Sequence, residues 1–186
     1  MSLFPPIDPV MNLLVDAAGD ELASLTRALY GGRLNLSQWS MSVASVLKDA
    51  HLSNSIVAVG GADNLGPVNY GRSGGTLADE YRHLYDFAQA ISDGDVSEAQ
   101  ALARIQQYSR ASQQAYWREY VQREMRPEWN DLPVLKNTPR DGRTQCHGNC
   151  NCQLRADADG IHWELFPGES CDDCLLLATG GPYRPR

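Results

Sequence analysis

The chain has 186 residues, of which 42% are hydrophobic and 21% charged, a balance that suits one ordinary domain or a helical domain carrying a small stapled module. No apolar run approaches the roughly 20 residues that span a bilayer. A formal net charge of −7 argues against a general nucleic-acid binder, because neutralising phosphates needs a basic surface. Bases outnumber acids only over residues 96–143, by 8 to 6, an excess that reads as a solvated face.

The first residues hold Pro5, Pro6 and Pro9 and read as extended. They lack the basic start and apolar core of a secretory signal, so a reducing cytoplasm is the expected setting. Val10, Leu13, Leu14, Ala17, Ala18, Leu22, Leu25 and Leu29 then recur at three- and four-residue steps, which predicts an amphipathic helix stopped by Gly31 and Gly32. Ser37 is placed to cap a second helix, with Trp39, Val43, Val46, Leu47 and Ala50 on its apolar stripe and an extension through Ile56 to Val59.

From Gly60 to Gly75 the chain carries six glycines and Pro67, a composition that predicts a mobile loop with one short helical turn around Asn69. A phosphate cradle would need a preceding strand and a Lys-Ser/Thr pair, and neither is present. Thr76 with Asp79 resembles a capping box for a third helix on Leu77, Tyr81, Leu84, Tyr85, Ala88 and Ile91, ending at Asp93-Gly94. Ser97 with Gln100 repeats that logic for a fourth helix, whose apolar positions run from Leu102 through Ile105, Tyr108, Ala115, Tyr116, Tyr120 and Val121 up to Arg126-Pro127. At roughly 28 residues it would be about 42 Å long and is expected to project. Tyr116, Trp117 and Tyr120 beside Arg118 and Arg123 read as core or protein interface in preference to a base-stacking surface.

Pro127, Pro133 and Pro139 in a stretch without periodicity predict an extended linker. The expected organisation is a helical body over residues 1–126, a linker over 127–143 and a cysteine-rich module over 144–186. The fold class is mainly α, with a long projecting helix and a cysteine-stapled, zinc-ribbon-like β-hairpin.

Every cysteine lies in that last module, in Cys146-His147-Gly148-Asn149-Cys150-Asn151-Cys152 and in Cys171-Asp172-Asp173-Cys174, with 18 residues between the clusters. Such spacing lets paired clusters fold back on one tetrahedral ion. Cys152-Gln153-Leu154-Arg155 and Ile161-His162-Trp163-Glu164 alternate as two strands around a turn at Asp157–Gly160. Two strands alone are marginal in water, and the cysteines stand at the open end of the hairpin, where a staple would act. Zinc fits four sulfurs, or three sulfurs and an imidazole. Cys171 and Cys174 lead the ligand candidates, with two of Cys146, Cys150 and Cys152 completing the set and His147 as a substitute. Disulfides formed in an oxidising setting and free core thiols are the alternatives. A thiol oxidoreductase lacks its alternating strand-helix context here, and His51, His83, His147 and His162 form no triad pattern, so no enzyme activity is expected.

The run Cys146-x3-Cys150-x-Cys152, followed by Trp163-Glu164-Leu165-Phe166, Cys171-x2-Cys174-Leu175 and a closing Gly181-Pro182-Tyr183, resembles the C-terminal end of tailed-phage head-morphogenesis proteins, also called minor head proteins. Similarity extends upstream through residues 29–39 and 81–117. Asn151 departs from the basic residue such proteins place between the two cysteines. The resemblance implies a virion component, assembled in the host cytoplasm, that acts near the portal during capsid assembly and genome packaging. Its partners would be portal and capsid proteins and other copies of itself, with no membrane and no specific nucleic-acid ligand. The rival reading is a cytoplasmic zinc-module protein that regulates by binding nucleic acid or a protein partner, which salt-sensitive DNA binding would distinguish.

Overall fold

A computed structural model describes residues 9–124, 137–139, 144–145, 150–166 and 170–184. Among the described residues five helices precede a hairpin and a short helix: α1 (Pro9–Tyr30), α2 (Leu36–Val59), α3 (Pro67–Ser92), α4 (Glu98–Ala111), α5 (Gln113–Glu124), β1 (Gln153–Asp157), β2 (Gly160–Glu164) and α6 (Asp172–Thr179). The fold is mainly helical with a small antiparallel sheet near the C-terminus, as the periodicities predict.

α1 buries Met11, Val15, Ala18 and Leu22 and leaves Val10 and Leu13 exposed. It stops as expected at Gly32, whose φ of 70° only glycine adopts freely. The cap of α2 is Asn35, two residues ahead of the expected Ser37. Asn35 Oδ1 accepts the Gln38 N–H at 2.9 Å while Gln38 Oε1 accepts the Asn35 N–H at 3.0 Å, a reciprocal box that Ser37 has no partner to match.

The glycine-rich stretch is the largest departure. Residues 60–66 are a connector with one 3-10 turn (Ala62–Asn64), as expected, but residues 67–75 are the first third of α3, and Thr76 lies inside the helix instead of capping it. Pro67 occupies the first helical position, where a missing N–H costs nothing. Asn69 Oδ1 accepts the Gly66 N–H at 2.7 Å. The deciding contacts are tertiary: Arg72 forks onto Glu119 of α5 (Nε to Oε1 3.1 Å, a terminal nitrogen to Oε2 2.6 Å), and Asn69 Nδ2 donates to the same carboxylate. Gly71, Gly74 and Gly75 have open space where a Cβ would stand, so nothing in the packing asks for glycine there.

The expected 28-residue projecting helix is instead two helices that pack along their lengths, α4 on α1 and α5 on α2. The break sits at Ser112. Its hydroxyl donates to the Ser109 carbonyl at 2.6 Å and accepts from Asn54 Nδ2 of α2 at 2.9 Å. The backbone tightens there to three-residue bonds, Ser112 N–H to Ser109 O and Ala115 N–H to Ser112 O, and a side chain inserted into the helical ladder turns it. The Ser97-Gln100 box that starts α4 is present as predicted.

Two cores result. Leu22, Trp39, Val43, Leu47, Leu77, Leu84, Phe87, Ile105 and Tyr108 form one, with Trp39 edge-on to Phe87 at 5.9 Å. Met11, Ala58, Tyr116, Trp117 and Val121 form the other together with Cys150, Cys152, Leu154, Ile161, Trp163 and Cys174. The hairpin and α6 are therefore seated on α5 instead of being held off the body. The expected linker lies outside the described residues except at 137–139, where Thr138 is buried.

Gly74→Ala and Gly75→Ala each raise stability by about 0.5–1 kcal/mol, because alanine is the better helix former and meets no atom; urea midpoints at unchanged m-value measure it. Trp117→Ala opens the shared core and costs about 3–5 kcal/mol, with far-ultraviolet ellipticity and the fluorescence of the remaining tryptophans changing in one transition.

Candidate metal centre

The hairpin pairs Leu154 with Trp163 and Ala156 with Ile161 on its buried face, and Gln153 with Glu164 and Arg155 with His162 on the other. On the outer face Glu164 accepts from Gln153 Nε2 at 2.8 Å and from Arg155 Nε at 2.6 Å. Side chains alternate along an extended chain, so Cys150 and Cys152, four and two residues ahead of Leu154, fall on the buried side. The turn closes on Gly160 at φ 129°, where a Cβ would stand 2.5 Å from the Tyr183 carbonyl oxygen. That closeness exists because Tyr183 pairs with Ile161 in both directions, at 2.8 and 3.1 Å. The Tyr183 hydroxyl also donates to the Leu177 carbonyl at 2.7 Å, tying α6 to β2.

This seating brings Cys174, the third residue of α6, against the strand cysteines. The Sγ atoms of Cys150, Cys152 and Cys174 lie within 4.8 Å of one another and all three residues are buried. Cys150 and Cys174 are 3.6 Å apart. A disulfide would hold them at about 2.05 Å, whereas two sulfurs on a tetrahedral ion with bonds near 2.3 Å stand about 3.8 Å apart. Among the described residues no cysteine is joined in a disulfide. Among the described residues this is the only group of three or more His, Cys, Asp or Glu side chains whose ligand atoms converge.

Burial pushes the Cys150 thiol up to about 12. Burial also raises the Cys174 thiol, helped by its contact with Cys171 and by the nearness of Cys150. A lone thiolate is therefore disfavoured in this pocket, and a cation that brings its own positive charge reverses that preference. Three convergent soft donors in a dry apolar shell fit a thiophilic metal ion.

Of the five residues named from sequence, the structure thus unites Cys150, Cys152 and Cys174. Cys171 caps α6, is half-buried, and touches Cys174 without belonging to the converged trio. Cys146 and His147 lie outside the described residues, although the Gln145 N–H donates to Asp173 Oδ2 at 2.8 Å and holds the chain just ahead of them at the start of α6. Sequence reasoning missed the wall of the site, Trp117 and Val121 of α5; their spacing on a buried helix was the available signal. His51 has a structural partner, with Nε2 2.9 and 3.0 Å from the Glu80 oxygens in the helical core.

Comparison with known proteins supplies no relative. No family model, curated protein or solved structure matches the chain. Among the described residues, no helix is long and apolar enough to cross a membrane.

The raised thiols set a pH dependence. A group that titrates higher when folded stabilises the fold fully below its unfolded pKa, near 8.5 for cysteine, and loses that contribution as pH rises toward the folded value, about 12 for Cys150. Metal-free reduced protein therefore loses stability from pH 8 to 9.5, before tyrosines titrate, as urea midpoints will show. At pH 8 iodoacetamide labels Cys171 ahead of Cys150 and Cys174, read by peptide mass spectrometry.

Proposed function

We propose that the chain is a zinc-stapled structural protein, a minor head protein of a tailed phage that acts near the portal during capsid assembly. The convergence of Cys150, Cys152 and Cys174 carries the reading, because the same cysteine run carries the resemblance to minor head proteins. Zinc is the ion proposed: it is redox-inert and takes thiolates tetrahedrally. Its work here is mechanical. Two five-residue strands are too few to stand alone in water, and an ion shared between the chain ahead of β1 and the start of α6 closes the hairpin onto the body.

Of the two readings of the aromatic cluster, core and protein interface, Tyr116 and Trp117 take the first: they are interior and pack on each other and on Tyr120 with ring centroids 5.1 to 5.9 Å apart. Contact with portal or capsid subunits therefore falls to other surfaces. No observation favours the regulatory nucleic-acid reading over this one.

Elemental analysis of freshly purified reduced protein should find about one zinc per chain, and its absence overturns the staple. Sedimentation with purified proheads tests the assembly role: the protein should travel with proheads that contain portal, and consistent absence from proheads and virions overturns that role even if zinc is present.

A further inference from the structure

The converged trio leaves a tetrahedral ion one ligand short, and among the described residues the start of α6, the helix that carries Cys174, is placed to supply it. Cys171 is the N-cap of that helix, with the extended backbone of a capping residue (φ −76°, ψ 165°). N-caps are ordinarily Ser, Thr, Asp or Asn, because their side-chain oxygen accepts an N–H from the first turn. The Cys171 side chain makes no such bond. It engages Cys174 instead, three residues on, so a position that normally serves the helix is turned toward the thiol cluster. Cys171 is half-buried while the other three described cysteines are buried, which leaves it room to change rotamer. Swinging a thiol between staggered wells moves its sulfur by about 3 Å, enough to bring a neighbour of Cys174 onto an ion held by the trio. The positive end of the α6 dipole favours the resulting negative charge, and the Asp172 and Asp173 carboxylates in the same turn oppose it.

We propose that Cys171 is the fourth metal ligand, so that the site is Cys150, Cys152, Cys171 and Cys174, and Cys146 is not a ligand. The proposal rests on the metal-stapled reading above, and adds to it which thiol closes the coordination sphere.

The test uses the full chain, reduced, and titrated with cobalt(II) alone and then with zinc alone. Cys171→Ser is a safe probe of the fold, since serine is a better N-cap than cysteine, and the metal-free variant should unfold at the wild-type urea midpoint or above it. With cobalt, its thiolate-to-metal charge-transfer absorption should fall by roughly a quarter, as four sulfurs become three. Its zinc affinity should fall by about a hundredfold or more. Cys146→Ser should leave both unchanged. The proposal is overturned if Cys146→Ser weakens the cobalt spectrum and Cys171→Ser does not, which would make Cys146 the fourth ligand. It is also overturned if neither variant changes the spectrum, which would make the site three-sulfur. Failure of the underlying reading looks different: wild-type protein that takes up neither cobalt nor zinc.

Discussion

The architecture depends on a short helix that is buried on almost every side although much of it is polar. In α5, Gln113, Gln114, Ala115, Tyr116, Trp117, Glu119 and Val121 are all buried. A buried polar group without a partner costs about 1–3 kcal/mol and a charged one more, so each must find its partner on a particular neighbour. Glu119 takes Arg72 and Asn69 of α3, Gln114 donates to Glu80 at 2.9 Å, Arg118 donates to Thr76, and Arg123 donates to the Ala58 carbonyl at the end of α2. The remaining face, Tyr116, Trp117 and Val121, is apolar and receives the hairpin. Shifting α5 by one residue would turn these groups toward the wrong neighbours together, which is a strong constraint on register. A buried ion pair roughly offsets its own desolvation, so Glu119 specifies where α3 and α5 meet more than it adds to stability.

The cysteine cluster inherits its rigidity from that helix. Cys150, Cys152 and Cys174 arrive from two separate pieces of chain, and neither piece is long enough to hold a thiol in place. What positions them is the apolar contact of Leu154, Ile161 and Trp163 with α5, supported by the Tyr183 bridge to Ile161. A metal ion held by the three thiols would restrain the same hairpin that the core restrains. An ion adds most where apolar area is least, and about ten residues of strand bury little on their own.

Much of this was legible in the residue pattern, and the failures share a cause. The apolar stripes of α1 and α2, the Ser97-Gln100 box and the period-two alternation of Leu154-Arg155-Ala156 and Ile161-His162-Trp163 are local signals. They survive because the structure does not oppose them. Residues 67–75 read as loop because three exposed glycines depress helix propensity by about 1 kcal/mol each, a local deficit that is outweighed only by the whole packing of α3, in which Arg72 and Asn69 reach a buried carboxylate 47 and 50 residues away that would be costly to leave unpaired. Ser112 read as one more helical position because its back-bond to Ser109 is ordinary; only Asn54, 58 residues earlier, makes it a break.

By itself the sequence determined the class of fold, the hairpin with its turn at Gly160, and the chemistry offered by the cysteines, since each follows from spacing over a few residues. Tertiary structure alone decided that the helix after Ser97 bends back instead of projecting, that the aromatic cluster is interior, and that Cys150, Cys152 and Cys174 are the thiols that meet. The physical reason is that these outcomes turn on which distant surface a side chain is buried against. Burial energies compare whole packings of the chain, and no local window of residues contains them.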